Sequence, residues 1–237
     1  MSLRVFAPSE SSPRPGQALT LDSDESRYLR KVRRARDGAA IELLDGCGGL
    51  WSATVTAGDG RRSTIEVGAP VATPVPRRKL TLLLGLPDSP ATIQALTHAT
   101  ELGAKTIALV RCARSQGRPP SQDRIHRVLR ASLRQCGRPS PPTLLGPLGF
   151  AEALELKGEE AGYVCYTALR AQPDRQTRVT SGASLLVGPE GGLTPEEVET
   201  ALQRGFSPLA LGPWVLRTET AALVGLSRLL FDGLGPA

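Results

Sequence analysis

The chain has 237 residues, 40% of them hydrophobic, with a formal net charge of +6 and a pI near 9.5. This is apolar material for one large domain or two small ones, and it excludes a chain disordered throughout. No apolar run approaches the ~20 residues of a membrane span, and Met1 to Ser12 has no signal-peptide core, so a soluble, cytoplasmic protein is expected. Cys47, Cys112, Cys136 and Cys165 are scattered without a Cys-x-x-Cys pair, and His98 and His126 are the only histidines. That pattern predicts buried free thiols rather than a disulfide framework, and no metal site.

Residues 1–70 read as all-β. Ala39 to Leu44 leads into the turn Asp45-Gly46-Cys47-Gly48-Gly49. Leu50 to Val55 alternates, and Ser63 to Val67 follows a second turn, Gly58-Asp59-Gly60. Short strands at this spacing predict a small barrel. Residues 71–79 are proline-rich and lack apolar periodicity, as a linker would.

Strands and helices alternate over residues 80–237. Leu80 to Leu86 is a strand, and Asp88 or Ser89 can cap a helix from Pro90 to about Gly103. Thr106 to Val110 is the next strand. A helix from Ser121 to Cys136 carries Ile125, Val128, Leu129, Leu133 and Cys136 on one stripe, with Arg124, Arg127, Arg130 and Arg134 largely on the other side. Tyr163 to Tyr166, Ser184 to Val187 and Ser207 to Leu211 are further strands. The alternation predicts an α/β fold with a mostly parallel sheet.

The positive charge is concentrated. Arg27, Arg30, Lys31, Arg33, Arg34 and Arg36 crowd ten residues without an acid. Arg111, Arg114, Arg118, Arg124, Arg127, Arg130, Arg134 and Arg138 form a second cluster, with Asp123 as its one acid. Each cluster alone could be a solvated face. Two arginine-dominated clusters favour phosphate, because the guanidinium forks onto phosphate oxygens. With nine aromatic residues (Phe, Trp and Tyr together), recognition by shape and backbone is expected over an extended stacking platform.

Leu185-Leu186-Val187-Gly188-Pro189-Glu190-Gly191-Gly192-Leu193-Thr194-Pro195-Glu196-Glu197 reads as buried strand, glycine loop and capped helix. Thr194 and Glu197 have capping-box spacing, and Pro195 suits the first helical position. Open α/β sheets bind ligands at such strand ends. Neither the phosphate-loop lysine nor the dinucleotide glycine spacing is present. Leu209 to Ala221 repeats the layout: strand, Gly212-Pro213 loop, helix start.

Together these two segments resemble the RsmE family, the SPOUT-class methyltransferases that methylate uridine N3 in small-subunit ribosomal RNA. The match covers Gly188 to Gly192, then Leu211, Gly212 and Val215 to Ala221. Weaker matches are Arg4-Val5-Phe6, Lys31 to Arg34 with Asp37-Gly38, Thr100 to Gly103 and Gln135 to Arg138. The resemblance implies a PUA-like RNA-binding β-barrel ahead of a SPOUT domain with a carboxyl-terminal trefoil knot. It implies S-adenosyl-L-methionine as methyl donor, 16S ribosomal RNA or the small subunit as substrate, and a homodimer. The donor would be held by Leu186, Gly188, Pro189, Glu190, Gly191, Gly192, Leu211, Gly212, Val215, Leu216 and Thr218. Arg217 would stabilise charge on the uracil, and Glu219 would accept the proton or serve the helix dipole. Glu190 is a site residue or a loop brace. Arg4, Arg30, Lys31, Arg33, Arg34, Arg124 and Arg127 are the expected RNA contacts.

The substrate side departs from the family pattern. Pro87-Asp88-Ser89-Pro90 replaces a lysine-bearing segment. Tyr28 stands for a usual His, Arg33 for a usual Leu, and Arg134 for an acid. These departures leave room for another RNA target, or for an RNA-binding protein that kept the fold without the chemistry.

Overall fold

The computed structural model describes residues 2–8, 13–166, 179 and 181–231. It divides into two compact units, Met1–Val75 with Arg130–Pro141, and Pro76–Leu129 with Pro142–Ala237. The first boundary, after Val75, lies within residues 71–79. Residues 130–141 pack with the first unit although the linker precedes them.

The first unit is a five-stranded sheet in the order β1-β3-β4-β5-β2. Its strands are β1 (Arg4–Phe6), β2 (Ala18–Thr20), β3 (Ala40–Leu44), β4 (Leu50–Gly58) and β5 (Ser63–Val71). β1 runs parallel to β3 and the other pairs are antiparallel. Two aspartates make the hairpin turns. Asp45 accepts the backbone N–H groups of Cys47, Gly48 and Gly49, and Asp59 those of Arg61 and Arg62. The alternating residues Ala53, Val55, Ile65 and Val67 face a core with Val5, Leu29 and Leu43. The all-β expectation missed helix α1 (Ser23–Arg27) and the π-helical turn Tyr28–Val32 that continues it. Asp22 caps α1 by accepting the Glu25 N–H at 2.7 Å.

The second unit holds a six-stranded parallel sheet in the order β11-β9-β10-β6-β7-β8. These strands are β6 (Lys79–Gly85), β7 (Thr106–Arg111), β8 (Thr143–Gly149), β9 (Ala161–Cys165), β10 (Gly182–Val187) and β11 (Phe206–Pro208). β10 enters between β9 and β6. β8 is not legible as a strand in the sequence because Gly146 and Pro147 interrupt it, and its edge position tolerates a residue without an N–H.

Helices α2 (Ser89–Glu101), α3 (Gln122–Cys136), α4 (Phe150–Glu155), α5 (Pro195–Gln203) and α6 (Thr218–Phe231) complete the described residues. Leu82, Leu84, Leu185 and Val187 pack with α2 and α6 residues, while Leu83, Val164 and Leu186 pack with residues of α4 and α5. Helix α6 lies close on β10. A Cβ at Gly225 would come 2.6 Å from Leu185 Cδ2, so any larger residue there would force the Leu185 side chain to shift. No helix among the described residues is long and apolar enough to cross a membrane.

Candidate active site

At the carboxyl end of the parallel sheet, four chain segments enclose a cavity of about 680 Å³. They are the loop after β10 (Gly188 to Leu193), the loop after β11 (Leu209 to Arg217), the start of α2 (Asp88, Pro90, Ala91, Gln94) and the end of β9 (Cys165, Tyr166). The volume lies within the roughly 300–1,000 Å³ of small-molecule sites.

The first loop turns on itself through the Gly192 N–H, which donates to the Pro189 carbonyl at 2.8 Å, with Gly192 at φ +72°. It also presses on β6, since a Cβ at Gly85 would come 2.7 Å from Pro189 Cδ. Beyond it, α5 begins with the capping box read from the sequence. Thr194 Oγ1 accepts the Glu197 N–H at 3.2 Å, and Glu197 accepts the Thr194 N–H at 2.9 Å. The other Glu197 oxygen accepts the Ala113 N–H at 2.7 Å, tying in the loop after β7. Arg114, on that loop, donates to the Gly191 carbonyl at 3.1 Å.

Glu190 has a structural partner. Its carboxylate accepts the Asp88 backbone N–H at 2.8 Å, while the Asp88 side chain accepts the Ala91 N–H and caps α2. Glu190 thus braces the loop after β6 against the loop after β10. The second loop swings outward at Gly212, whose φ of +128° is open only to glycine. Residues 212–215 are exposed, with Trp214 at 80% and Val215 at 67%. Thr218 returns the chain to the sheet, its hydroxyl donating to the Gly188 carbonyl at 3.1 Å in a buried bond that joins the two loops.

Gly188 to Gly192, Leu211, Gly212 and Val215 to Glu219 all line this one cavity. Leu186 does not. It is fully buried on the other face of β10, among Leu83, Val110 and Val198, and its neighbour Val187 lines the cavity instead. Arg217 is exposed and makes no ion pair among the described residues, whereas Glu219 is buried in the first turn of α6. Sequence reasoning missed Gln94, Tyr166, Cys165 and Trp214. Trp214 falls between motif positions, and the others come from distant segments. Burial pushes the Cys165 thiol up to about 12, with the Arg228 guanidinium opposing, so the thiol stays protonated near neutrality.

The expected RNA contacts divide in two. Arg4 pairs with Glu42 at 2.7 Å and donates to the carbonyls of Arg134 and Gln135. Arg30 donates to Asp37, the Ala35 carbonyl and Ser63. Both side chains are largely buried and brace the first unit from within. Lys31, Arg33 and Arg34 are exposed on the first unit. Arg124 and Arg127 are exposed on α3, where Arg124 donates to Ser89 Oγ and Arg127 to the Asp123 carbonyl.

A parallel sheet with two glycine loops around one cavity, together with a separate small β-sheet unit, defines the class. Residues 73–230 match the RNA methyltransferase domain family, and residues 21–68 match the RNA methyltransferase PUA domain. The chain belongs to this RNA methyltransferase family and is an enzyme of that kind. It is 29% identical to the ribosomal RNA small subunit methyltransferase E of a Synechocystis strain over 89% of this chain and 72% of that protein. It is equally identical to the protein of that name from Mycobacterium tuberculosis, over 93% of this chain and 88% of the other. The crystal structure of the Neisseria gonorrhoeae enzyme of that name, bound to S-adenosyl methionine, is similar with a TM-score of 0.83, 26% identity and 97% of each chain covered.

Proposed function

We propose that the protein transfers a methyl group from S-adenosyl-L-methionine to N3 of a uridine in 16S ribosomal RNA. The observation that carries this reading is the convergence of two glycine loops on one cavity, with Arg217, which makes no ion pair among the described residues, at its edge. The donor has no phosphate and needs close backbone approach, which Gly188, Gly191, Gly192 and Gly212 allow. Leu211, Val215 and Leu216 offer apolar flanks for adenine, and the loop backbone offers hydrogen bonds to its edge. Bound there, the donor supplies an electrophilic methyl carbon on a positively charged sulfur, which takes the electron pair of the broken bond.

Uracil N3 carries a weakly acidic proton on its pairing edge, so the base must be unpaired or flipped to react. As the proton leaves, negative charge spreads over the two flanking carbonyl oxygens. Arg217 stabilises that charge and cannot be the base, because a guanidinium keeps its proton. Glu219, buried against the cavity, accepts the proton. Glu190 and Thr218 hold the loops so that nitrogen, carbon and sulfur align. Lys31, Arg33 and Arg34 on the PUA-like unit, with Arg124 and Arg127 on α3, contact RNA phosphates.

We further propose that the SPOUT domain is knotted at its carboxyl end and that the working form is a cytoplasmic homodimer. Insertion of β10 between β9 and β6 is compatible with the knot. Sedimentation with activity at the same micromolar concentration tests the dimer, and a fully active monomer there overturns it. For the reaction, ribosomal RNA from a deletion strain is mapped by mass with and without the restored gene. Loss and recovery of one N3-methyluridine is expected. An unchanged modification pattern refutes the proposal.

A further inference from the structure

We infer that Trp214 is the stacking residue for the target nucleobase, holding it at the mouth of the methyl-donor cavity. This rests on the methyltransferase reading above and adds a substrate-positioning residue to it. Trp214 lines the cavity yet is 80% exposed, so its ring forms a lip rather than a wall. An indole left in water costs free energy unless something covers it. Its position is held by the chain. Gly212 at φ +128° and Pro213 carry residues 212–215 outward, and the buried Thr218 bond to Gly188 anchors the loop three residues after Val215.

The surroundings identify the occupant. Arg217 lies three residues along the same loop. Arg114 is exposed beside Gly191, and Arg124 reaches Ser89 next to the cavity-lining Asp88 and Pro90. Of the three acids that line the cavity, Asp88 and Glu190 have their carboxylates turned to backbone N–H groups, and Glu219 is buried in the first turn of α6. An aromatic face among arginines suits a nucleotide, with the base on the ring and its phosphates on the guanidinium groups. A purely apolar partner would leave those arginines unused. Stacking would also retain an unpaired base while its N3 edge faces Arg217.

The chain has two tryptophans, and the other, Trp51, is half-buried in the first unit, so Trp214 fluorescence can be read by difference. The full-length protein, with and without S-adenosylhomocysteine, is titrated with a short oligouridylate and with the same oligomer lacking bases. Quenching by the oligouridylate alone is expected, and its absence in Trp214→Phe and Trp214→Ala assigns it to this ring. Single-turnover methylation at subsaturating RNA should fall about 10- to 100-fold in Trp214→Ala, the scale of one lost base stack. It should be largely rescued in Trp214→Phe, with S-adenosylmethionine affinity within a few fold of the parent. Removing so exposed a side chain leaves the fold intact.

Equal quenching by both oligomers overturns the inference, as does full activity in Trp214→Ala. Dissociation of a dimer by Trp214→Ala, with quenching unchanged, overturns it in favour of a second copy of the chain. Base-dependent quenching in a parent protein that methylates no RNA would sustain the stacking and refute the methyltransferase reading alone.

Discussion

The Arg134 guanidinium lies over the ring of Tyr28, 4.2 Å from its centroid, and donates to Glu25 Oε1 at 2.9 Å. Glu25 is 1% exposed. The same oxygen takes Arg130 at 2.8 Å, and its other oxygen accepts the Phe6 N–H, while Arg130 lies over the Phe6 ring at 4.8 Å. Tyr28 and Arg134 are two of the departures from the RsmE pattern, which usually has a His and an acid there. The two touch in this chain, a cation on an aromatic face. Reverting Arg134 alone should therefore be costly. Arg134→Glu sets a second carboxylate beside a buried one and removes one of its two guanidinium partners, and should destabilise the protein by about 3 kcal/mol. The urea midpoint of the full chain measures this, and a change of midpoint within error would remove the cluster from the stability of the first unit.

The basic residues of the first unit should separate by role. Replacing Lys31, Arg33 and Arg34 with Ala should weaken RNA binding and flatten the dependence of log K on log salt, by about 0.7–0.9 for each phosphate no longer neutralised. Thermal stability should not move. Arg30→Ala should do the reverse, because Arg30 spans Ser63, Ala35 and Asp37. Filter binding across a salt series, with melting curves, distinguishes the two patterns.

Arg217→Ala should leave S-adenosylmethionine affinity within a few fold and lower turnover by ~100-fold or more, the usual loss when one preorganised donor is removed. Arg217→Lys should recover only part, since an ammonium cannot fork across two acceptors. Single-turnover rates at saturating RNA decide the point. Parent-like chemistry in Arg217→Ala would leave the arginine as an ordinary residue at the entry to α6.

Gly191→Val should block the methyl donor. Gly191 is not in the left-handed region, unlike Gly192. A Cβ at position 191 would instead come 3.1 Å from Arg114 Cβ, so the added branches must displace Arg114 or enter the cavity. Calorimetry should find donor affinity lowered by at least ~10-fold in a protein with parent-like melting. Unchanged affinity would mean that this loop does not hold the donor.

Cys112 adds a pH dependence. Burial pushes its thiol from 9.0 up to about 12, with the Glu197 carboxylate adding to the rise and Ser115 opposing it. The unfolded chain releases this proton near 9 and the folded chain only near 12. The contribution to stability is thus intact below about pH 9 and is lost as pH rises between the two values, at up to about 1.4 kcal/mol per pH unit. Urea midpoints at pH 8 and pH 10.5 should fall further for the parent than for Cys112→Ala. Equal falls would place the thiol in ordinary solvent.

Much of the active site is legible in the sequence because its signals are local. The Thr194–Glu197 capping box, Asp88 as helix cap, the Asp45 and Asp59 turns and the buried Ile125, Leu129 and Leu133 of α3 all depend on spacings of a few residues along a backbone of known period, whereas Cys136, expected on that stripe, and Cys47 are exposed rather than buried thiols. The glycine motifs likewise predict loops at strand ends, and both loops are there. The tertiary structure decided what spacing cannot encode. It set β10 between β9 and β6, turned Leu186 into the core and Val187 toward the cavity, and brought Gln94 and Tyr166 to the same site. It also engaged Arg4 and Arg30 internally while leaving Lys31 and Arg33 exposed, although all four are cations in the sequence. A charged side chain's role depends on which acceptors the folded chain brings within about 3 Å of it, and those lie up to 131 positions away in this protein.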